Sequence, residues 1–433
     1  MSAAPAQSPS EPNPLKVHIE TLEKAFVGRA PFCSGSIPVA PEDILLFYGK
    51  DKNARRLDFT DASEEDLRHL ADTCDPASFG VDNEDVMDDS YRKAGKLDIA
   101  HFVTTLDPVK CGLVEVIRNQ FLEGPQVKAS IRVERYKLNV YGREGFFKGH
   151  KDTPRSESMF GSLVVVLPTD HVGGALVFRE NDQEWTFDSA HAVARQPGET
   201  LRLGYAVFYS DVEHAVTPVQ AGYRVTLTYN LYFEDPSPVQ GSVVLHDATY
   251  DKLYSALQAV LNDSTFIPEG GLLGFALRRE YPVRVGKADL GTIEQFLKGS
   301  DAALLRACKA LSLNASFKAL VRQHATDPFS VTPTYPVLCN RIPDVKRFPQ
   351  EDWDDYVCRK FGGKRVAMNV EGIGSWVQPD IKIHWVLSPR QSLTTSKQQY
   401  MAFGNEPTLT YVYAHVCLII DLGPVGARSG TNN

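Results

Sequence analysis

Between about residues 129 and 235 the apolar residues recur at a period of two, in SLVVVLP, GALVF, ETLRLG, YAVFYS and YRVTLTYNLYF, with glycine and proline at the joints. Alternation of this kind buries one face of an extended strand, and several short strands in succession form a sandwich or barrel. That part of the chain is therefore expected to be an all-β core. At 433 residues the chain exceeds the roughly 250 at which a single core stops growing, so two or three structural units are expected. The division read from the sequence is a disordered Ala/Ser/Pro-rich leader at 1–15, a mixed α/β region at 16–128 packing on the core, the β core at 129–235, and a mixed α/β region at 236–433.

The flanks carry helical signals. In SEEDLRHLADTC, Ser63 precedes Asp66 by three residues and Leu67, Leu70 and Ala71 follow at helical spacing, a near capping box. LVEVIRNQF, residues 113–121, is a second amphipathic run. After the proline-bearing joint EDPSPVQGS, helices are expected near 249–262, 289–299 and 301–323, and strands near 381–387 and 409–422.

A net charge of -8 argues against binding nucleic acid through bulk electrostatics. No window approaches the roughly 20 apolar residues of a membrane span, and MSAAPAQSPSEPNP lacks the features of a signal peptide. The expectation is an intracellular protein, cytoplasmic or nuclear, without a membrane partner. Cys33, Cys74, Cys111, Cys308, Cys339, Cys358 and Cys417 stand singly with no CxxC pair, which points to free thiols.

The chemistry concentrates in YKLNVYGREGFFKGHKD, residues 136–152, where His150 and Asp152 lie two apart. If both continue a strand, their side chains share one face and converge on a single ion. His214, at the end of YAVFYSDVEH, is the third candidate ligand. Two imidazoles and one carboxylate leave about three positions open on a metal, which suits iron(II) binding a co-substrate and dioxygen together. Arg224 follows His214 across PVQAG, and its planar fork matches the far carboxylate of a dicarboxylate whose near end chelates the metal. Along the strand from Arg224, Thr226, Thr228 and Asn230 share its face. That polar face lines a pocket inside the barrel, or meets water on an edge strand.

Taken in order, NVYGREGFFKGHKD, SLVVVLPTDHVGGALVF with Gly173-Gly174, Gln196-Pro197-Gly198 and HAVTPVQAGYR resemble the 2-oxoglutarate- and iron(II)-dependent oxygenase superfamily, most nearly its prolyl 4-hydroxylase-like branch, over residues 130–235. FGVDNEDVMDDSYRKAGKLD (79–98) and AFGNEPTLTYVY (402–413) look like the flanks of fungal oxygenase-domain proteins. The resemblance implies an α+β chain whose catalytic core is a double-stranded β-helix, or jelly roll, with mixed helical and strand flanks. It implies a dioxygenase in which 2-oxoglutarate and dioxygen yield succinate and carbon dioxide while a C–H bond of a protein side chain or a small metabolite is hydroxylated. Fe(II) and 2-oxoglutarate are the implied cofactor and co-substrate, with ascorbate in support. His150, Asp152 and His214 become the metal ligands and catalytic set, Arg224 the 2-oxoglutarate clamp, with Thr226 and Tyr141 beside it.

Two positions depart from the prolyl hydroxylase pattern: Phe147 stands where that branch has a tyrosine, and Asn230 where it has a tryptophan. Both changes put recognition of a peptidyl proline in doubt. His171 and His191 are expected on surface or loop positions, Phe178, Tyr205 and Tyr209 in core packing, and His384 and His415 on core or sheet faces. The acidic runs from Asp82 to Asp89 and from Glu351 to Asp355 read as solvated surface. Two rival classes stay open on the residues alone: a catalytically silent jelly-roll binding module, and a cupin-like metal enzyme that does not use 2-oxoglutarate, for which Arg224 is the discriminating residue.

Overall fold

The computed structural model describes residues 13–27, 30–50, 52–81, 84–122, 126, 129–156, 158–180, 183–195, 200–234, 248–286, 289–324, 335–345, 353–367, 379–403 and 407–428. The leader expected at 1–15 lies almost wholly outside them, as do Gln196-Pro197-Gly198, most of EDPSPVQGS and parts of both acidic runs. Among the described residues no helix is long and apolar enough to cross a membrane.

Contacts divide the chain into Ala30–Gly241 and a second unit made of Met1–Arg29 with Ser242–Asn433. This differs from the boundaries read from the sequence. Residues 30–128 fall in the unit of the β core, whose sheets are extended by Phe32–Pro38, Asp75–Pro76, Arg92–Lys93 and Gly95–Asp98, while Leu45–Lys50, Asn53–Asp58 and Phe102–Thr104 form a separate sheet; helix Pro14–Val27 falls in the C-terminal unit.

Twelve strands organise the first unit: β1 (Phe32–Pro38), β2 (Asp75–Pro76), β3 (Arg92–Lys93), β4 (Gly95–Asp98), β5 (Ser130–Tyr141), β6 (Phe146–His150), β7 (Met159–Val166), β8 (Leu176–Glu180), β9 (Gln183–Phe187), β10 (Arg202–Tyr209), β11 (Glu213–Val216) and β12 (Arg224–Glu234). The larger sheet runs β1-β10-β7-β12-β5-β4-β2 and the smaller one β9-β8-β11-β6-β3. This is the expected double-stranded β-helix, two sheets closing over one interior. ETLRLG and YAVFYS contribute to a single strand, β10, and His214 sits on the separate short strand β11.

Strand β12 lies in the middle of the larger sheet, paired with β5 and β7. Its Val225, Leu227, Tyr229 and Leu231 are buried, and so are Arg224, Thr226 and Asn230 on the opposite face. The edge-strand alternative is thereby excluded. The outer face of the sheet is covered by the N-terminal flank. Leu113–Val116 forms a short α-helix that runs into a π-helical turn at Ile117–Phe121. Phe121 meets the Tyr209 ring at 4.4 Å, and Tyr205 donates to Gln120 Oε1 at 3.1 Å. Tyr205 and Tyr209 are therefore core residues. Ser63 caps helix Glu64–Thr73 in a reciprocal capping box with Asp66, and Leu67 and Leu70 face the core. Each such buried leucine or phenylalanine contributes roughly 1.5–3 kcal/mol.

In the second unit, helices Pro14–Val27, Ala248–Asn262 and Gly299–Ala310 accompany a sheet centred on the long strand Pro407–Leu422, which pairs with Gly271–Ala276, Asn314–His324 and Thr395–Phe403. The helix expected over 301–323 stops at Ala310, and Asn314–His324 is a strand. The physical reason is local: Ser312 adopts φ 54, which no helix continues through, and Phe317, Ala319 and Val321 then alternate into the core. Near 289–299 the chain forms a 3-10 turn, Leu290–Phe296, rather than an α-helix. His384 and His415 lie half-buried on this sheet, as expected. All seven cysteines are free.

Candidate active site

Strand β6 ends at His150, and β11 places His214 directly opposite it in antiparallel register. The two rings approach to 4.2 Å between centroids. Asp152 does not continue the strand with His150, contrary to expectation; it lies in irregular chain beyond the end of β6. The turn of that chain still brings its carboxylate round, with Oδ1 3.9 Å from His214 Nε2. Ser162, buried on β7, donates its hydroxyl to the other oxygen, Oδ2, at 2.5 Å and so orients the carboxylate. One potential ligand atom from each of His150, Asp152 and His214 lies within 4.8 Å of the others.

The ring tautomers follow from their partners. His150 Nδ1 is 2.9 Å from Lys148 O and His214 Nδ1 is 3.0 Å from Val212 O. A carbonyl oxygen only accepts, so both Nδ1 atoms carry a proton, and in the neutral ring it is Nε2 that offers a lone pair to a metal. Burial, and secondarily the neighbouring His214, push His150 down to about 3 against the opposing pull of Asp152. The ring is therefore neutral at physiological pH and need release no proton to bind a cation.

Packing holds the ligands in place. Phe147 stacks on the His150 ring at 3.5 Å and 23°, and Phe208 packs on His214 at 4.4 Å. Phe178 is fully buried one ring further back, 6.5 Å from His214 and stacked on Phe32. Phe147 thus serves as a stacking surface for a ligand, a role that needs no hydroxyl. Its ring also carries the Arg92 guanidinium at 4.3 Å. Arg92, from the N-terminal flank, donates to Ser78 O at 2.7 Å and Asn139 Oδ1 at 2.8 Å, and Asn139 donates to Thr228 Oγ1 at 3.1 Å. Sequence reasoning missed Arg92, Ser162 and Phe208, since none stands at a ligand spacing.

Arg224 is 1% exposed on the inner face of β12, with Tyr141 opposite it on β5 and that ring 5.3 Å from its guanidinium carbon. Burial lowers its guanidinium to about 10, which still leaves it charged at neutral pH. Its Nε donates to Ser189 Oγ at 3.1 Å, while its Nη2 is buried with no hydrogen-bond partner. A buried cationic donor left unpaired is costly, and the acceptor it fits best is a carboxylate. Gly174, at φ 70, is needed here: a Cβ would come within 2.7 Å of Arg224 Cδ. Thr226 is buried on the same face, two residues along. Asn230, further along that face, is also buried.

His191 is exposed on the short helix Ser189–Val193. His171, expected at the surface, is instead half-buried in strand His171–Gly173, which pairs with Val219–Gly222; this pairing draws it beneath the chain that leads into Arg224.

Residues 136–232 match the family model described as the 2OG-Fe(II) oxygenase superfamily. Among solved structures, an oxidoreductase of the 2OG-Fe(II) oxygenase family from Burkholderia pseudomallei is 22% identical over 24% of this chain and 46% of its own, with a TM-score of 0.20. A prolyl hydroxylase from Trichoplax adhaerens, solved with a hypoxia inducible factor oxygen degradation domain peptide fragment, is 15% identical over 53% of this chain and 94% of its own, at TM-score 0.29. A prolyl-4-hydroxylase from Pseudomonas putida is 15% identical over 40% and 84%, at 0.25. The match therefore spans less than half of the Burkholderia chain. No curated protein sequence matches the chain.

Proposed function

Residues 136–232 belong to the 2OG-Fe(II) oxygenase superfamily, and from that premise we propose that the protein is an Fe(II)- and 2-oxoglutarate-dependent dioxygenase, a hydroxylase, in which Arg224 binds the distal carboxylate of 2-oxoglutarate. The observation that carries the proposal is the fully buried Arg224 with its unpaired Nη2, in the same β-helix as the His150, Asp152 and His214 group. His150 and His214 offer Nε2 and Asp152 an oxygen, a donor set that fits iron(II) with positions left for co-substrate and dioxygen. The metal, when bound, supplies the activation of dioxygen coupled to loss of carbon dioxide from 2-oxoglutarate.

The chain's own groups do the remaining work in this reading. Arg224 neutralises and orients the dicarboxylate, Tyr141 walls the pocket beside it, and Thr226 offers a hydroxyl on the same face. A cupin-like enzyme without 2-oxoglutarate has no use for this buried fork, and a silent binding module has no use for the two oriented Nε2 atoms. The oxidised substrate is a C–H bond of a protein side chain or of a small metabolite.

The test is succinate release by the full chain given iron(II), ascorbate and 2-oxoglutarate, compared with Asp152→Ala. Succinate formation by the wild type that disappears in the variant supports the proposal. Equal succinate from both, or a wild type that binds neither iron(II) nor 2-oxoglutarate, overturns it.

A further inference from the structure

A guanidinium recognises a carboxylate only if its plane is aimed, and Arg224 is aimed by a residue outside every motif of the sequence. Ser189 is 0% exposed at the start of helix Ser189–Val193, whose cap is the Asp188 side chain accepting from His191 N. Its Oγ has three neighbours: Arg224 Nε at 3.1 Å, Gly174 O at 3.0 Å and His171 Nε2 at 3.3 Å. His171 Nδ1 is 2.8 Å from Thr169 O and so carries the proton in the neutral ring, which makes Nε2 an acceptor. The single Ser189 proton is therefore claimed by the Gly174 carbonyl or by His171 Nε2. Whichever takes it, the hydroxyl oxygen turns its lone pairs to Arg224 Nε.

We propose that Ser189, held by the Gly174 carbonyl and His171, is the positioning residue of the Arg224 clamp. The hydrogen bond to Nε fixes the plane of the guanidinium, and with it the direction in which the unpaired Nη2 points. Gly174 completes the device, because its lack of a Cβ lets the Arg224 Cδ lie against the backbone whose carbonyl holds Ser189. The inference rests on Arg224 being the 2-oxoglutarate clamp, and it adds that orientation, besides charge, sets the affinity.

The experiment is calorimetric titration of 2-oxoglutarate into the full chain loaded with Mn(II), for wild type, Ser189→Ala, Ser189→Cys and Arg224→Ala, with Mn(II) affinity and melting temperature measured in parallel. Losing a hydrogen bond between a buried neutral group and a charged one is expected to weaken 2-oxoglutarate binding about ten- to a hundred-fold in Ser189→Ala. Ser189→Cys keeps the volume but offers a poor acceptor, so it weakens binding likewise and carries the test if the alanine variant does not fold. Mn(II) affinity stays at the wild-type value in both. In turnover, KM for 2-oxoglutarate rises while kcat at saturation is kept.

Unchanged 2-oxoglutarate affinity in both Ser189 variants, with binding abolished in Arg224→Ala, overturns the inference and leaves the clamp standing. A parallel fall of Mn(II) affinity and melting temperature shows a merely structural role and also overturns it. Wild-type affinity in Arg224→Ala removes the clamp itself, and the inference with it.

Discussion

Among the buried arginines, Arg224 in the β-helix unit and Arg428 in the C-terminal unit are bonded in opposite ways. Arg428, in the C-terminal unit, directs Nη1 to Val260 O, Leu261 O and Asp263 O and Nη2 to Phe266 O and Ile267 O, two main-chain carbonyls in the last turn of helix Ala248–Asn262 and three in the chain just beyond it. The guanidinium thus closes the helix end, where carbonyls run out of intrahelical donors, and ties it to the following chain. Arg224, in the β-helix, has one neutral partner, Ser189, and an unpaired Nη2. Both sites bury a positive charge. Arg428 spends both terminal nitrogens on carbonyls and leaves only Nε without a partner, whereas Arg224 leaves a terminal nitrogen, Nη2, open, and that is the difference between a structural arginine and one arranged for an anion.

Stability and 2-oxoglutarate affinity, both measured on variants of both arginines, separate the two roles. The largest effect is expected from Arg224→Ala, which removes a desolvated charge pair and should weaken 2-oxoglutarate binding by about 2–5 kcal/mol while the melting temperature changes little. A variant that binds 2-oxoglutarate normally would end the distinction. Arg428→Ala should do the reverse, lowering stability by on the order of 3 kcal/mol in a denaturant titration by stranding buried carbonyls, with 2-oxoglutarate affinity unchanged. Smallest are the lysine exchanges. Arg224→Lys keeps the charge and loses the fork, so affinity should fall about tenfold, or 1.4 kcal/mol. Arg428→Lys, with three donors for five carbonyls, should cost stability by about 1–2 kcal/mol. If the two lysine variants behaved alike in both assays, geometry would not be what separates the sites.

Much of the β-helix and of the His150, Asp152 and His214 group was legible because their signals are local. Period-two alternation from Met159 to Glu234, and His150 and Asp152 two apart, are visible in a window shorter than a strand pair. Arg224 was legible through its order after His214. What escaped is what depends on chain closure. Ser189 and His171 meet Arg224 only because strand His171–Gly173 pairs with Val219–Gly222, and no spacing announces that. Arg92 reaches Phe147 through the pairing of β3 with β6, contacts between segments that carry no shared period. The strand Asn314–His324 was hidden for a different reason: its Ala, Lys, Leu and Arg content suits a helix, and burial on one sheet face overrode that preference. Asp152 does lie beside His150 and His214, but irregular chain beyond β6 rather than a strand delivers it.

In the proposed reading one interior holds a metal through His150, Asp152 and His214 and a dicarboxylate through Arg224, each needing the other. The decisive experiment is titration of 2-oxoglutarate into the full chain with and without Mn(II), in the absence of oxygen. Binding is expected to be one-to-one and strong with Mn(II), to fall by at least about tenfold without it, since one end of the dicarboxylate then has no partner, and to show no Mn(II) enhancement in Asp152→Ala. Binding that is absent in both conditions, or equally strong in both, would contradict it.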